Sequence, residues 1–234
     1  MKILGVDVET TGLDPTACRV IEVGAVLWDT DRAAPLEIFS SLLRLPIPVP
    51  EEITAITGIT AGMLREHGRE PDAVFSELMV MACKADYWLA HQADFDRAFL
   101  MAEGAAAGVP WMHLPWIDTK MDLPFPRDMA TRKLTYLATE HGFLNPFPHR
   151  AVFDVMTALR LFSQYPLDAV MALQRSPVVK IVAQVSFDEK EKAKSAGFHW
   201  EPERKSWCLD VKECCVEALS ASFGFPFTSI KMEG

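Results

Sequence analysis

The chain lacks the features that mark secreted or membrane proteins. It has only five cysteines among 234 residues, an odd number that suits no disulfide framework, and their spacing matches no metal-binding motif. No apolar run approaches the roughly 20 residues that span a bilayer, and the N-terminus has no basic region followed by a long apolar core. We therefore expect a cytoplasmic protein that makes no contact with a membrane.

Positive charge is also scarce. The chain carries 23 Lys and Arg against 32 Asp and Glu, a net charge of −9. This balance argues against a protein held on duplex nucleic acid by a broad basic face. It does not exclude a nuclease, because clustered acids attract phosphate once they bind divalent cations. The charge favours a short contact with the end of a substrate.

The most informative segment is the strand-like run of residues 2–13, which contains two acids among apolar residues. Asp7 and Glu9 are two residues apart, so on a strand they point to the same face. Two neighbouring carboxylates repel each other, and burial adds to the cost. A bound divalent cation relieves both penalties. An Asp-x-Glu pair by itself is common and more typical of a solvated sheet face, so the prediction of a metal site depends on later segments.

Two later segments carry acids where helices are expected to begin. Residues 89–100 contain Asp96, and residues 149–159 contain His149 followed five positions later by Asp154. Together with residues 7–13, these segments resemble the three motifs of the DEDDh 3'→5' exonuclease superfamily. That superfamily includes proofreading exonuclease subunits, exodeoxyribonuclease X-like enzymes and ribonuclease T. The resemblance extends over residues 2–164, with the motifs in the expected order and spacing.

The resemblance implies a catalytic centre with two divalent cations. Four acids would hold these cations: Asp7, Glu9, Asp96 and Asp154. Oxygen ligands of this kind suit magnesium or manganese rather than zinc. The family pattern also makes His149 the general base that takes a proton from the attacking water, a task that suits an imidazole with a pKa near neutrality.

The resemblance also implies contacts with the 3' end of the substrate. The turn after the first strand would meet the terminal nucleotide, and Leu13 would wedge against the last base. Gln92 stands where the family usually has asparagine, so its hydrogen bond with the substrate is expected to be longer or absent. The predicted substrate-binding residues are Thr10, Thr11, Gly12, Leu13, Gln92 and Phe95.

The order of predicted elements indicates an α/β fold. Three β segments come first, at residues 2–9, 19–29 and 35–43, and strands at 87–91 and 116–118 then alternate with helices. This order predicts a mixed five-stranded sheet flanked by helices. The resembling family has that pattern in its ribonuclease H-like fold, in which the first strand is central. We predict helices at residues 71–81, 94–108, 131–141 and 150–164.

A small α+β accessory domain is predicted at residues 176–234, after an exonuclease domain at residues 1–175. Its predicted elements are a strand at 178–185, a short helix ending at Gly197, a hairpin at 200–207, a helix at 211–223 and a strand at 228–232. Two interpretations of Trp200 and Trp207 stay open. With the neighbouring lysines they would clamp a single strand, or they would form the core of the domain.

The sequence therefore predicts a metal-dependent 3'→5' exonuclease that releases nucleoside 5'-monophosphates. DNA with single-stranded or frayed ends is the favoured substrate, and a polymerase or another replication or repair protein is a possible partner. Two alternatives remain: an RNA-trimming enzyme similar to an oligoribonuclease, and a non-catalytic accessory protein in nucleic-acid processing. The sequence leaves the oligomeric state open.

Overall fold

The computed structural model describes residues 1–126 and 129–231. The chain divides into two units, Met1–Leu167 and Asp168–Gly234, and each is described by itself.

The first unit is built on a five-stranded sheet in the order β3-β2-β1-β4-β5. The first three strands are antiparallel neighbours, whereas β4 runs parallel to β1 and β5 runs parallel to β4. The prediction of a mixed five-stranded sheet with the first strand at its centre is confirmed. The strands are β1 (Lys2–Thr10), β2 (Val20–Asp29), β3 (Ala34–Leu42), β4 (Tyr87–Ala90) and β5 (Trp116–Asp118).

Helices cover the sheet. Within the described residues of this unit the helices are α1 (Glu51–Thr57), α2 (Ala61–His67), α3 (Pro71–Ala82), α4 (Ala93–Ala106), α5 (Leu134–Glu140) and α6 (Ala151–Phe162). The next helix, α7 (Leu167–Arg175), begins at the last residue of this unit and otherwise belongs to the second unit. The short helix α1 was not predicted, because two turns are too few for a periodic apolar pattern to be read. Among the residues that the structure describes, no helix is long and apolar enough to cross a membrane.

The alternation of side chains along β1 separates the core from the acids. Leu4, Val6 and Val8 are buried in one hydrophobic cluster with residues of α3 and α4. Since neighbouring side chains on a strand point to opposite faces, Asp7 and Glu9 lie on the other face. That other face is covered by helix α6, which packs on β1 and β2.

Helix α6 lies unusually close to the sheet because two glycines leave room for it. A Cβ atom at Gly24 would lie 2.3 Å from the backbone nitrogen of Val152. A Cβ atom at Gly5 would lie 2.8 Å from side-chain atoms of Leu159 and Val155. Contacts under 3.0 Å are too short for a Cβ, so a side chain at Gly24 would push the backbone of α6 away from the sheet.

The second unit contains a four-stranded antiparallel sheet in the order β7-β8-β6-β9. Its strands are β6 (Val178–Ala183), β7 (His199–Glu201), β8 (Ser206–Lys212) and β9 (Phe227–Lys231). Short helical segments connect them: a 3₁₀ turn at Phe187–Glu189, α8 (Lys190–Ser195), a 3₁₀ turn at Glu213–Cys215 and α9 (Val216–Ser220). The prediction of a small α+β region is confirmed.

One predicted boundary in this unit was wrong, and another lies outside the described residues. The predicted helix at 211–223 began too early, because Val211 and Lys212 extend strand β8 and pair with Val179 and Val178 of β6. Val211 is buried in the core of the unit, so packing against β6 outweighs any local helical tendency. The predicted last strand ended at Met232, which lies outside the described residues.

The two tryptophans of the predicted hairpin have different environments. Trp207 packs against the buried core of the second unit. Trp200 lies on β7, an edge strand, and is 48% exposed. The two rings meet edge to face, with centroids 5.8 Å apart. The core interpretation therefore describes Trp207, whereas Trp200 presents an aromatic surface to solvent.

Because α6 lies so close to the sheet, we expect a single methyl group at Gly24 to destabilise the folded protein strongly. We expect Gly24→Ala to lower the free energy of unfolding by about 2 kcal/mol or more, because the added Cβ overlaps the backbone of α6. The measurement is urea unfolding followed by circular dichroism. Gly62→Ala in helix α2 is the matched control, since its Cβ would have 3.5 Å to the nearest atom, Thr60 Oγ1.

We expect Gly62→Ala to be neutral or slightly stabilising, because alanine favours a helix over glycine. Equal urea midpoints for Gly24→Ala and the unsubstituted protein would contradict the close packing of α6.

Candidate metal centre

Three carboxylates meet at the end of β1. Asp7 and Glu9 project from β1 toward α6, and Asp154 projects from the first turn of α6 toward β1. One ligand oxygen from each of the three lies within 4.8 Å of the others, and all three side chains are half-buried. Among the described residues, this is the one group of at least three acidic, histidine or cysteine side chains with such spacing.

The local electrostatics of this group are unfavourable without a cation. Burial raises the pKa of Glu9 to about 8, and the charge of Asp154 adds to that rise. Burial also raises the pKa of Asp154 to about 6, although the nearby His149 charge opposes the rise. The pKa of Asp7 is raised well above its ordinary value, first by burial and then by the charges of Asp96 and Glu9. Concentrated, half-buried carboxylate oxygens fit a hard divalent cation.

Asp96 lies beside this group rather than within it. Its side chain is only 2% exposed, and its Oδ1 accepts a hydrogen bond of 3.0 Å from the backbone N–H of Val8, between Asp7 and Glu9. Burial raises the pKa of Asp96, and the Val8 hydrogen bond opposes that rise. Asp96 thus ties helix α4 to β1 and contributes the largest charge effect on Asp7.

The structure places His149 on the Asp154 side of the centre. His149 precedes helix α6, is exposed, and has a backbone φ of 61°, which is rare outside glycine. A positive charge on His149 would lower the pKa of Asp154. Asp154 is held on both oxygens: Asn145 Nδ2 donates to Oδ1 at 2.9 Å, and the Arg150 N–H donates to Oδ2 at 3.2 Å.

Sequence reasoning missed a further acid, Glu22 of β2, which pairs across the sheet with Glu9. Glu22 is 1% exposed and accepts hydrogen bonds from the guanidinium of Arg150. Its charge raises the pKa of Glu9. One signal was available in the sequence. Glu22 is the only charged residue between Val20 and Trp28, and an acid in a buried strand requires a partner.

The turn after β1 is held by its own hydrogen bonds. Thr10 Oγ1 donates to the Gly12 carbonyl at 2.6 Å, and Thr11 Oγ1 accepts from the Arg19 N–H at 2.9 Å. A Cβ at Gly12 would lie 2.6 Å from the Cys18 sulfur, so a side chain there would have to displace the Cys18 thiol. Leu13, in contrast, is 84% exposed. The turn therefore presents an apolar side chain to solvent on an ordered backbone.

The other two predicted substrate residues contact protein neighbours. Gln92 Oε1 accepts a hydrogen bond of 2.8 Å from Lys120 Nζ, and the Gln92 backbone has a φ of 76°. Phe95 is partly buried, with its ring centroid 4.8 Å from that of Phe99. Neither side chain belongs to the group of three carboxylates.

Comparison with family models gives two matches. Residues 4–162 match the RNase_T model, described as Exonuclease. Residues 180–226 match a domain of unknown function, DUF8626.

Individual relatives each match about two thirds of the chain. The chain is 32% identical over 162 residues to DNA polymerase III subunit epsilon of Treponema pallidum, covering 67% of this chain and 73% of the relative. It is 30% identical over 161 residues to a PolC-type DNA polymerase III of Thermotoga petrophila, covering 68% of this chain. The match spans only 11% of that much longer protein.

Solved structures share the fold. The nuclease domain of 3'hExo, a DEDDh family member bound to rAMP, aligns with a TM-score of 0.58 and 20% sequence identity. The alignment covers 70% of this chain and 90% of that domain. At this identity the likeness shows the shared fold.

The raised pKa values predict that stability falls with pH in the absence of metal. Above about pH 4.5 the unfolded chain has released its carboxyl protons, whereas the folded state retains protons on acids such as Glu9, whose pKa is about 8. The unfolded state therefore binds fewer protons, and the free energy of unfolding decreases as the pH rises from about 5 to 8. Urea unfolding at several pH values with a chelator measures this slope.

We expect Glu9→Gln to weaken the dependence of the free energy of unfolding on pH. The control Glu140→Gln, at an exposed position, should leave that dependence unchanged. A slope that is the same in Glu9→Gln and the unsubstituted protein would show that Glu9 does not titrate in this range.

Proposed function

Because this chain belongs to the exonuclease family, we propose that it is a metal-dependent 3'→5' exonuclease that releases nucleoside 5'-monophosphates from the ends of DNA. The family membership rests on the match over residues 4–162, which confirms the resemblance of the three sequence motifs. The single observation that carries the proposal is the convergence of oxygens from Asp7, Glu9 and Asp154 within 4.8 Å.

The proposed metal ligands are carboxylates in one half-buried group. Asp7, Glu9 and Asp154 would hold one divalent cation, magnesium or manganese, and Asp96 would serve a second cation from its place beside Asp7. When bound, such cations activate water, neutralise charge on the phosphoryl group and stabilise the departing 3' oxygen. The raised pKa values of these acids support the proposal, because a cation removes the repulsion that causes part of the rise.

His149 is the proposed general base. Its imidazole would accept a proton from the attacking water at a ring nitrogen and release it to solvent, to which the side chain is exposed. Its position directly before the N-cap of α6, five residues before Asp154, and its effect on the pKa of Asp154 support this role. A histidine is suited to this task because its pKa lies near physiological pH.

The turn after β1 is the proposed binding site for the terminal nucleotide. Thr10, Thr11 and Gly12 would offer backbone groups to the 3' end, and the exposed Leu13 would contact the last base. We also propose Gln92 and Phe95 as substrate contacts. Gln92 would have to exchange its bond with Lys120 for one with the substrate.

DNA is the proposed substrate, with single-stranded or frayed ends preferred. The relative from Treponema pallidum is a DNA polymerase III subunit, which supports both DNA and a polymerase or other replication or repair protein as partner. A non-catalytic accessory role is less favoured, because buried acids with raised pKa values are costly to retain without a cation. We propose that residues 1–175 form the catalytic domain and residues 176–234 an accessory domain.

Removal of a proposed metal ligand tests the nuclease directly. We expect Asp7→Asn and Asp154→Asn to lower the rate of nucleotide release by roughly three orders of magnitude, because metal charge supplies several kcal/mol of transition-state stabilisation. Both variants should still fold, since each substitution removes a repulsive charge. The assay uses DNA and RNA oligonucleotides of the same sequence, labelled at the 5' end, with magnesium, manganese or chelator.

Three results carry the interpretation of that assay. A ladder that shortens from the 3' end supports the proposed direction of digestion. Faster digestion of RNA than of DNA would reject the proposed substrate in favour of an RNA-trimming enzyme. Unchanged digestion by Asp7→Asn would reject the metal centre, and Glu66→Gln on the surface of α2 is the control.

The proposed general base has its own test. We expect His149→Ala to lower kcat by about 10²- to 10⁴-fold, because proton removal from the attacking water loses its acceptor. The rise in melting temperature on addition of magnesium or manganese should be retained, since no proposed metal ligand is changed. His67→Ala, on the exposed surface of α2, is the control. Full activity of His149→Ala would exclude the assigned role.

A further inference from the structure

Glu22, a buried residue of β2, is hydrogen-bonded to two residues at the start of helix α6, Arg150 and Ala151. The Arg150 guanidinium donates from Nη2 to Glu22 Oε1 at 2.8 Å and from Nε to both carboxylate oxygens at 3.2 Å. The backbone N–H of Ala151 donates to Glu22 Oε2 at 3.0 Å. One carboxylate from β2 therefore binds both the side chain before helix α6 and the first N–H within that helix.

These contacts replace a cap that the local sequence does not supply. Arg150 occupies the N-cap position of α6, with a φ of −131°, and its side chain makes no capping hydrogen bond. The first N–H groups of a helix need an outside acceptor, and a negative charge there is stabilised by the helix dipole. Glu22 meets both needs from a residue 129 positions away from Ala151 in the sequence.

The residue directly before this junction is His149. Its φ of 61° is uncommon for a residue with a side chain, so contacts on either side of it contribute to holding this conformation. On its C-terminal side the Arg150 guanidinium and the Ala151 N–H bind Glu22, whereas the Arg150 N–H donates to Asp154. The bond between Glu22 and Arg150 is therefore one of the contacts that fix the backbone directly after His149.

Asp154 depends much less on Glu22. Its Oδ1 accepts a hydrogen bond from Asn145 Nδ2, and its Oδ2 accepts one from the backbone N–H of Arg150. The packing of α6 against Gly24 and Gly5 holds the helix on the sheet. Loss of the Glu22 charge therefore leaves the carboxylate group largely assembled.

We infer that Glu22, acting through Arg150, is a positioning residue that orients His149 toward the carboxylate centre. This inference rests on the proposed function, in which His149 is the general base. A buried ion pair adds little net stability compared with apolar residues of similar size. The bidentate geometry instead provides direction, because a planar guanidinium and a carboxylate bind in one orientation.

The chain offers a matched control, the ion pair of Glu103 with Arg19. Glu103 is 3% exposed. It accepts from Arg19 Nε at 2.6 Å and Nη2 at 2.9 Å, and from the Val20 N–H at 3.1 Å. This pair has the same chemistry and burial, but it binds helix α4 to the start of β2 instead of the segment that carries His149.

A double-mutant cycle separates positioning from general stability. Steady-state kcat and KM are measured for Glu22→Gln, His149→Ala and the double variant with the full chain, a single-stranded DNA oligonucleotide and saturating magnesium or manganese. We expect Glu22→Gln to lower kcat about tenfold or more, with a smaller change in KM. In the His149→Ala background the same substitution should change kcat less than about threefold, because the residue that it orients is absent.

Glu103→Gln is placed in an identical cycle with His149→Ala. We expect its effect on kcat to be the same in both backgrounds, since distant sites act additively. The rise in melting temperature on metal addition is measured for each variant and should persist in Glu22→Gln. If Glu22→Gln does not fold, Arg150→Lys replaces it, because lysine keeps the charge opposite Glu22 and loses only the bidentate geometry.

The outcomes distinguish the inference from the function on which it rests. Equal effects of Glu22→Gln with and without His149, or an unchanged kcat, would overturn the positioning role while leaving the nuclease assignment intact. Unchanged digestion by Asp7→Asn would instead refute the metal centre at Asp7, Glu9 and Asp154, and absence of any digestion by the unsubstituted protein would refute the nuclease assignment, whatever the result of the cycle.

Discussion

The arrangement of the candidate site depends on the close packing of helix α6 against strands β1 and β2. Gly24 has no side chain, and the backbone of α6 occupies the space that a Cβ would need. This contact brings Asp154 from one end of the first unit's sequence to Asp7 and Glu9 from the other. A sheet alone would present two acids on one face. The helix adds the third carboxylate and leaves all three half-buried.

Burial of these acids lowers the stability of the folded protein, and the same burial raises their pKa values. Desolvation is the first cause of the raised pKa values of Asp7, Glu9 and Asp154. The fold therefore stabilises a cluster whose charges repel one another, which is unfavourable until positive charge is added. Functional sites often lower the free energy of unfolding, because the like charges that function requires repel one another in the folded state.

Outside that cluster, buried acids hold backbone in place. Asp96 accepts from the N–H of Val8, Glu103 from the N–H of Val20, and Glu22 from the N–H of Ala151. Each of these bonds joins two elements that are distant in sequence, and two of the acids also bind an arginine. Each of these three carboxylates therefore has a backbone N–H donor, and so does Asp154 within the cluster, which accepts from the N–H of Arg150.

The sequence by itself determined the order of the sheet and the pairing of Asp7 with Glu9 on one face, because both follow from short-range patterns. Asp154 was joined to them through the motifs shared with a known family, and the packing of α6 decided their convergence. Alternation along a strand places Asp7 and Glu9 on one face, and the order of strands and helices predicts the mixed sheet. Helix α1, the end of β8 and the exposure of Trp200 depended on packing, which short segments do not record. The pairing of Glu22 with Arg150 was decided only by the tertiary structure. These residues are 128 positions apart. The residues next to Glu22 in the sequence do not indicate Arg150 as its partner, because only the packing of α6 against the sheet brings the two together.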